Sequence, residues 1–476
     1  MAHVYDRLHI GGTWVEPSTG AVFTPLNAST EEPLGQAPAA GEADVDRAVT
    51  AARRAVDDPA GFGSWEPVER AERMERLADA LESRAAAIAE RVSSQNGMPL
   101  TLSRDSEGGM PATILRYYAD LARRSEPAEV REGLFGGRIE VRRQPIGVVA
   151  AIVPWNYPQT LAAMKIAPAL AAGCAVVLKP SPETALDSFL LAEAVEEAGL
   201  PGGTVNIVPA GREVGQHLVA HPGVDKVAFT GSTAVGRAVA ETCGRLLRPV
   251  TLELGGKSAA LVLDDADLDE AAPDLVPACL ANNGQTCFLG TRLLAPRSRY
   301  AEVVDAVTDL VRSLRVGDAL DPDTEIGPLA TAAQRERVES YIARGRDEGR
   351  LTTGGGRPRD RGWFVEPTVF ADVDNGATIA REEIFGPVLA VVPYDDVDDA
   401  VRIANDSEYG LGGTVWTADP QRGAEVARRV RTGTIGVNHY APDPVAPFGG
   451  VGSSGIGREL GPEALAHYQQ PQTVYL

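Results

Sequence analysis

The alternation of two hydrophobic patterns between residues 147 and 254 constrains the fold of this chain more than any other feature. Five short apolar or β-branched runs are typical of strands: VVAAIV, AVVLK, TVNIV, KVAFT and VTLEL. Helical patterns begin between them, near Gln159, Thr184, Glu213 and Ala234. Because strands joined by helices usually pair in parallel, this stretch predicts a doubly wound α/β unit with a parallel sheet.

The remaining chain is long enough for further domains, since its 476 residues exceed what one hydrophobic core normally holds. From Ser258 to about Val437, the strand-like runs SAALVL, VLAVVPY and GTVWT alternate with helical patterns and predict a second α/β domain. An Ala- and Arg-rich region, roughly 42 to 122, predicts amphipathic helices packed against the first unit. RIEVRRQPIG and the terminal QTVYL predict exposed strands, of a kind that often pairs with another subunit.

The charge balance excludes several classes of partner. The net charge is −21, and binding to nucleic acid or to an anionic lipid surface depends on clustered Lys and Arg. No window approaches the roughly 18 uninterrupted apolar residues that a membrane helix needs. The beginning, MAHVYDRLHIGGTWV, lacks the basic and apolar segments of a secretory signal. We therefore expect a cytoplasmic protein that binds neither nucleic acid nor membrane.

The cysteines contain one candidate nucleophile. Cys174, Cys243, Cys279 and Cys287 show no C-x-x-C spacing, which predicts neither a disulfide framework nor a metal site. Cys287 ends the Gly-containing run NNGQTC, where backbone N–H groups or a helix end would lower the pKa of its thiol. An isolated cysteine is more often a small core residue. The surrounding sequence favours the nucleophile for Cys287, and the other three are interpreted as structural.

Lysine is rare among the basic residues. Only Lys165, Lys179, Lys226 and Lys257 occur among 45 Lys and Arg residues. A compact ammonium on a thin stem is not easily replaced by a guanidinium. The surviving lysines therefore mark candidate functional positions, although chance survival is the alternative, which we keep for Lys226.

Three further motifs are candidates for the functional site, but each one taken alone predicts a function only weakly. Glu253 ends a strand in TLELGGKS, where ligands of α/β sheets gather, but a solvated loop glutamate fits the sequence equally well. FTGSTAVG is a strand, a glycine turn and a helix, whose N–H groups suit a pyrophosphate, but it lacks the first glycine pair of the usual dinucleotide motif. Asn156 in PWNYP offers an amide N–H to an oxyanion, although a turn or cap role is more common for asparagine.

Together, seven motifs resemble the aldehyde dehydrogenase superfamily: PWNYP, KPSPET, FTGST, LELGGKS, NNGQTC, EEIFGPV and PFGG, in this order from residue 154 to 450. The chain is most similar to the hydrolytic branch that includes betaine-aldehyde and lactaldehyde dehydrogenases. The resemblance implies a Rossmann-like cofactor domain (1–122 and 146–254), an α/β catalytic domain (255–454) and a small β oligomerisation extension (123–145 and 455–476). It also implies a homodimer or tetramer.

The resemblance implies that an aldehyde, NAD(P)+ and water become a carboxylic acid and NAD(P)H through a thiohemiacetal and a thioester on Cys287. Glu253 would be the general base, and the Asn156 side chain with the Cys287 backbone N–H would form the oxyanion site. Lys165 and Glu459 would act as a proton relay or as supporting residues. Two rivals remain: a CoA-acylating enzyme, which has no use for a base such as Glu253, and a catalytically idle protein on the same fold.

The resemblance also implies a set of cofactor-binding residues: Ile152, Trp155, Lys179, Ser181, Pro182, Gly211, Phe229, Gly231, Ser232, Leu254, Glu383 and Phe385. Pro182 departs from the family, which often has a ribose-binding glutamate there. No carboxylate at that position would repel a 2′-phosphate, and Glu183 is expected to point elsewhere. Ser181 suits either a ribose or a phosphate, so NAD is favoured and NADP stays possible.

The substrate side is predicted from positions that flank the motifs. Tyr157, Leu161, Phe288 and Phe448 would line a mostly apolar tunnel if the family geometry holds. Tyr440 lies with His439 and Asp443 on the loop before PFGG and would add contacts to the substrate. The resulting hypothesis is a hydrophobic aldehyde as substrate.

Overall fold

The structure is a computed structural model that describes residues 3–126 and 128–476. Its strands are β1 (His3–Val4), β2 (Leu8–Ile10), β3 (Thr13–Val15), β4 (Val22–Phe23), β5 (Gly35–Pro38), β6 (Ala128–Glu132), β7 (Arg138–Pro145), β8 (Val148–Ile152), β9 (Ala175–Lys179), β10 (Val205–Ile207), β11 (Lys226–Thr230), β12 (Val250–Glu253), β13 (Ala259–Val262), β14 (Arg292–Pro296), β15 (Arg350–Thr353), β16 (Thr368–Ala371), β17 (Val388–Tyr394), β18 (Gly413–Trp416), β19 (Gly436–Val437), β20 (Gly455–Ile456) and β21 (Gln469–Tyr475).

The helices are α1 (Glu42–Asp57), α2 (Pro67–Glu82), α3 (Ala85–Asn96), α4 (Leu100–Ser103), α5 (Met110–Arg124), α6 (Pro158–Ala172), α7 (Asp187–Ala198), α8 (Arg212–Ala220), α9 (Thr233–Arg245), α10 (Leu268–Leu280), α11 (Tyr300–Ser313), α12 (Ala332–Glu348), α13 (Thr378–Arg381), α14 (Val397–Asn405), α15 (Pro420–Ala427) and α16 (Gly461–Ala466). Among the described residues, none of these helices is both long and apolar enough to cross a membrane.

The first α/β unit is built on an eight-stranded sheet with the order β20-β12-β11-β8-β9-β10-β2-β3. Its five central strands are parallel, and β20 and β2 add antiparallel edges. The register pairs Ile152 with both Lys179 and Phe229, and Thr230 with Glu253. The carboxyl ends of these strands therefore meet at one edge of the sheet, which is where α/β proteins bind their ligands.

Helices cover both faces of this sheet. Along β8, Val148 and Ala150 pack with α1, α8 and α9, whereas Val149 and Ala151 pack with α2, α5, α6 and α7. Such a strand is buried on both faces, and a continuous apolar run is the pattern that results. The predicted doubly wound α/β fold is confirmed.

The second α/β unit contains a seven-stranded sheet with the order β15-β16-β17-β14-β13-β18-β19. All its neighbouring strands are parallel except the edge strand β15. The loop that carries Cys287 lies between α10 and β14 of this unit. The second predicted α/β domain is therefore present.

A third, three-stranded antiparallel sheet has the order β21-β7-β6. β21 pairs along its whole length with β7, from Gln469 opposite Pro145 to Tyr475 opposite Ile139. The predicted extension segment 455–476 is divided in the structure, because β20 joins the first sheet and only β21 joins this one. Two-residue strands such as β20 carry no periodicity that a sequence analysis can detect.

Candidate active site

A cleft of about 620 Å³ opens where the carboxyl ends of the first sheet face the second α/β unit. Eight of the residues expected at the site line it: Trp155, Asn156, Gly231, Ser232, Leu254, Cys287, Glu383 and Phe385. They come from both units and from positions 155 to 385. The structure thus brings the separated motifs together at one edge.

The Cys287 loop is held by two asparagines in the left-handed conformation, Asn282 (φ 53°) and Asn283 (φ 61°). The Asn283 amide donates to the carbonyls of Gly97 and Pro328, both at 2.8 Å. Gly256 lies under the loop, and a Cβ at Gly256 would overlap the carbonyl oxygen of Cys287. The second glycine of LELGGKS therefore allows the close approach of the two backbones.

The thiol of Cys287 has a raised pKa. Burial is the largest cause, and the carboxylates of Glu383 and Glu253 raise the pKa further. The prediction of a lowered pKa is wrong, because the charged groups with the largest effects on this thiol are negative. Cys287 therefore needs a neighbouring base to become a thiolate.

Glu253 is 2% exposed, which selects the buried alternative over the solvated loop. Neither carboxylate oxygen has a hydrogen-bond partner among the described residues. Burial raises the pKa of Glu253 well above its usual range, and Glu459 adds to this effect, while Lys165 and Arg458 oppose it. A Cβ at Gly449, in PFGG, would come within 2.5 Å of Glu253 Oε1.

Lys165 and Glu459 form a buried ion pair next to Glu253. Lys165 Nζ donates to Glu459 Oε1 at 2.6 Å and to Thr230 Oγ1 at 2.6 Å. Both side chains are at most 1% exposed. The Lys165 ammonium thus bonds to one buried carboxylate and lowers the pKa of a second, Glu253, by its charge.

Asn156 is held from three sides. Its side-chain Nδ2 donates to the Gln285 carbonyl at 3.0 Å, and its own carbonyl accepts from the amides of Asn96 and Asn282, each at 3.0 Å. A carboxamide has two N–H donors, so one remains for a ligand. The sequence analysis missed Asn96 and Asn282, although paired asparagines before a glycine are a known signal for left-handed backbone.

Glu107 is a further buried residue that the sequence analysis missed. Its Oε2 accepts from the backbone N–H of Gln159 at 2.8 Å, in the first turn of α6. Burial raises its pKa to about 8. Glu107 thereby caps the helix that directly follows Asn156 and Tyr157.

The other side of the cleft is lined by Trp155, Phe385 and Glu383. The two aromatic rings meet edge to face, with centroids 5.5 Å apart. Glu383 Oε1 accepts from the Gly256 N–H at 3.2 Å, and burial raises the pKa of Glu383 to about 7. A Cβ at Gly255 would overlap Glu383 Oε2, so the first glycine of the pair makes room for this carboxylate.

Several expected cofactor residues lie beside the cleft and do not line it. Lys179 Nζ donates to the Pro180 and Ala210 carbonyls at 3.0 and 2.8 Å, and burial lowers the pKa of Lys179 to about 8. Gly211 is the N-cap of α8. Ile152 and Phe229 pair on adjacent strands, next to Lys179.

Ser181, Pro182 and Glu183 do not line the cleft. The Ser181 hydroxyl donates to the Glu183 carboxylate, and the prediction that Glu183 points away from the adenosine ribose stays a prediction. Glu183 also contributes to the pKa of Lys179 by charge attraction. Pro182 and Glu183 line a separate cavity of about 400 Å³. A carboxylate therefore lies near the Lys179 position although Pro182 carries none.

The residues predicted to contact the substrate include an aromatic group, by which we mean the rings of Phe288, Tyr440 and Phe448 together. The Phe288 ring meets the Tyr440 and Phe448 rings edge to face, with centroids 4.9 and 6.0 Å apart. Tyr157 and Leu161 belong to the same hydrophobic cluster as Cys287 and Phe288. The Tyr157 and Tyr440 hydroxyls are hydrogen-bonded to Thr286 (2.9 Å) and Thr434 (2.5 Å).

The two polar residues expected on the same loop face other groups. His439 is 68% exposed in its side chain and lies 3.4 Å from Asp274 Oδ1. The carboxylate of Asp443 accepts from the Val445 N–H at 3.0 Å and caps a local turn. The substrate-side group is therefore mostly apolar.

All four lysines are buried, with exposed fractions between 0% and 8%. Lys226 donates to Thr251 Oγ1 at 2.6 Å, and its ammonium lies 5.1 Å from the Tyr468 ring centroid. Lys226 is therefore buried, and its chance survival stays the alternative to a functional role.

A family model described as "Aldehyde dehydrogenase family" matches residues 14–474. The chain belongs to the aldehyde dehydrogenase family. Aldehyde dehydrogenases are oxidoreductases that convert aldehydes to carboxylic acids. The chain is 56% identical to geranial dehydrogenase of Castellaniella defragrans, over 99% of each chain. It is 40% identical to betaine aldehyde dehydrogenase of Rhizobium leguminosarum, over 98% of this chain and 96% of that one.

Solved aldehyde dehydrogenases have the same fold. The Mycobacterium tuberculosis enzyme in complex with NAD+ is 49% identical, with a TM-score of 0.97 over 100% of this chain and 99% of that one. A cysteine-to-alanine mutant of aldehyde dehydrogenase C from Pseudomonas syringae, with NAD+ and octanal, is 38% identical. Its TM-score is 0.95, over 100% of this chain and 98% of that one.

Proposed function

We propose that this aldehyde dehydrogenase oxidises a hydrophobic aldehyde with NAD+ and water through a thioester on Cys287. One observation carries the proposal: Cys287 lies between the buried Glu253 carboxylate, an aromatic group and a cleft lined by Trp155 and Glu383. The chain thus groups a candidate nucleophile, a candidate base and a binding cleft.

The first step is addition of the Cys287 sulfur to the aldehyde carbonyl. The thiol proton goes to the Glu253 carboxylate, and burial, which raises the pKa of Glu253, increases its affinity for that proton. The oxyanion that forms accepts hydrogen bonds from the second Asn156 N–H and from the Cys287 backbone N–H. Asn96 and Asn282 keep Asn156 in place through its carbonyl.

The cleft residues fit a nicotinamide cofactor. Glu383 offers carboxylate oxygens to ribose hydroxyls, Trp155 and Phe385 offer aromatic surface, and the α9 N-terminus at Ser232 suits a phosphate. When bound, the cofactor accepts the hydride that converts the thiohemiacetal into a thioester. Leu254 lines the cleft beside Cys287 and excludes water there.

Hydrolysis of the thioester completes the reaction. After the first proton has left Glu253, the carboxylate removes a proton from a water molecule, and the oxygen of that water attacks the thioester carbonyl. The carbon–sulfur bond then breaks to release the carboxylic acid, and the proton on Glu253 passes to the Cys287 sulfur. The Lys165–Glu459 pair stabilises the charge changes at Glu253 and offers the proton a way out of the site. A CoA-acylating enzyme would have no need for this base.

NAD is the favoured cofactor over NADP. The solved complexes of the relatives contain NAD+. The Glu183 carboxylate, held by Ser181 close to Lys179, would repel a 2′-phosphate in that region. The absence of a carboxylate at Pro182, taken alone, would leave NAD only slightly favoured over NADP. The charge of Glu183 increases the preference for NAD.

A hydrophobic aldehyde is the favoured substrate. Phe288, Tyr440, Phe448, Tyr157 and Leu161 offer mainly apolar surface. A geranial dehydrogenase and a complex with octanal occur among the relatives. An aromatic group can also hold a quaternary ammonium, as betaine aldehyde would require. A test of the substrate therefore has to compare aldehydes of the same shape with and without a positive charge.

The test compares betaine aldehyde with its uncharged carbon isostere, tert-butylacetaldehyde, alongside octanal and geranial, by NADH formation. We expect the uncharged isostere to have the higher kcat/KM, and the long apolar aldehydes the highest. A preference for betaine aldehyde would overturn the hydrophobic substrate. Dependence of turnover on added CoA would overturn the hydrolytic route.

The thiol mechanism is tested by Cys287→Ala and Glu253→Gln, with Cys243→Ala as the control that removes a buried thiol outside the site. We expect no turnover in Cys287→Ala. Glu253→Gln should slow turnover by about 10²-fold or more, because it removes the base from both the addition and the hydrolysis steps. Full activity in Cys287→Ala would exclude the mechanism.

We also propose a homo-oligomer. The hairpin between β6 and β7 carries Leu134 and Phe135, which are 97% and 105% exposed, and Tyr475 at the end of β21 is 80% exposed. Apolar side chains at the edges of a small sheet suit pairing with a second copy.

A further inference from the structure

We infer that Asp46, His217 and His221 form a binding site for a divalent transition-metal ion, Zn²⁺, remote from the active-site cleft. Asp46 lies on α1, His217 on α8, and His221 directly after α8. The backbone N–H of Asp225, four residues after His221, donates to the Val148 carbonyl at the beginning of β8. The site is therefore at the amino ends of the strands, opposite the cleft.

The three ligand atoms are already grouped. His217 and His221 are four residues apart and share one face of the helix. Asp46 Oδ1 lies 2.6 Å from His217 Nε2 and 3.3 Å from His221 Nε2, and all three ligand atoms lie within 4.8 Å of one another. Ligands about 2.0–2.1 Å from a tetrahedral Zn²⁺ are roughly 3.3 Å apart. Asp46 Oδ1 and His217 Nε2, 2.6 Å apart, therefore have to separate by about 0.7 Å to admit the ion.

The chemistry of the ligands suits the ion. Neutral imidazole nitrogens and carboxylate oxygens are both ligands that Zn²⁺ accepts. The side chains of Asp46, His217 and His221 are 53%, 30% and 16% exposed, so water can take the remaining position. Two histidines and one carboxylate with a water molecule are a common zinc ligand set.

Binding has a cost at His221. Its Nδ1 accepts from the Gly223 N–H at 3.0 Å, whereas coordination through Nε2 places the ring proton on Nδ1. The Gly223 N–H then loses this acceptor and donates to a water molecule instead, since Gly223 is partly exposed. Three protein ligands and this lost bond predict micromolar affinity, well below that of a structural zinc site.

The sequence analysis predicted no metal site because it considered cysteine spacing alone. The run HLVAH holds two of the six histidines of the chain. The third ligand comes from a helix 171 residues earlier, which no local motif reveals. The ion would link α1 to α8 and would stabilise the folded state, since it binds that state preferentially.

The test is isothermal titration of the full-length chain with Zn²⁺ in a Cys287→Ala background, which removes the reactive thiol as a competing ligand. We expect one ion per chain, and at least about tenfold weaker binding in His217→Ala and in His221→Ala. Zn²⁺ should raise the Tm of the parent protein and not of these two variants. Bound Co²⁺ should give the strong visible absorption of a four-coordinate site.

His439→Ala is the matched control, because His439 has a single acidic neighbour, Asp274, at 3.4 Å. It should bind Zn²⁺ as tightly as the parent. Absence of saturable binding up to millimolar Zn²⁺ would overturn the inference and leave a His–Asp–His hydrogen-bonded cluster. Equal affinity in both histidine variants, with circular dichroism unchanged, would also overturn it.

Discussion

At the scale of single residues, the Lys165–Glu459 pair gives the clearest stability prediction. Lys165→Met leaves the Glu459 carboxylate buried without its ammonium partner, which should lower the free energy of unfolding by about 3–5 kcal/mol. Urea unfolding measures the change. In Lys165→Met/Glu459→Leu stability should largely return while turnover stays low. A single mutant as stable as wild type would show that the pair contributes no net stability.

The raised pKa of Cys287 predicts how the thiol reacts with iodoacetamide. Below the pKa, the thiolate fraction grows about tenfold per pH unit, so the rate should rise steeply between pH 7 and 9. Glu383→Gln should accelerate alkylation at pH 8, because it removes the carboxylate that, after burial, most raises this pKa. Glu382→Gln, an exposed neighbour, is the control. A rate independent of pH would mean that the thiol is already ionised.

We expect the negative charge of Glu183 to favour NAD over NADP. Glu183→Gln removes the charge that would repel a 2′-phosphate, so the ratio of kcat/KM for NADP to that for NAD should rise by about tenfold. Steady-state kinetics with both cofactors measure the ratio. Glu241→Gln, the same change on exposed α9, should leave the ratio unaltered. An unchanged ratio in Glu183→Gln would place the discrimination elsewhere.

At the scale of elements, the double glycine after β12 connects the base to the nucleophile. Gly256→Ala should displace the Cys287 loop and lower kcat by about 10²-fold, as small misplacements of reacting groups do. Gly244→Ala is the control, since Gly244 lies in α9 with nothing within 4 Å of an added Cβ. It should keep full activity. Normal turnover in Gly256→Ala would show that the loop tolerates the shift.

The elements also show what a sequence can predict. Strands β8, β9 and β11 were visible because they are buried on both faces and read as unbroken apolar runs. Glu253 and Asn156 could be predicted as candidates because they end or follow such strands, and Cys287 because of the motif NNGQTC. The sequence did not predict the raised pKa of Cys287 or the hydrogen bond between Ser181 and Glu183. Both depend on side chains brought together from distant parts of the chain.

At the scale of the whole molecule, the β6–β7 hairpin predicts self-association. Leu134→Asp/Phe135→Asp should weaken the oligomer, because it places charge on apolar surface that a second copy would bury. Light scattering after gel filtration measures the mass. Val235→Asp, a change at a partly exposed apolar residue of α9, is the control. A wild-type chain that is monomeric at micromolar concentration would contradict the proposal.

The burial of every lysine has a chemical consequence for a protein that handles aldehydes. Free aldehydes condense with unprotonated amines to form Schiff bases, and exposed lysine side chains are the usual place for such damage. Here no lysine amine faces the solvent, and the outer positive charges are guanidinium groups, which stay protonated. The enzyme surface is therefore poorly reactive toward its own class of substrate. Amine-directed dyes and crosslinkers should label the folded chain sparsely, with lysine modification appearing only on unfolding.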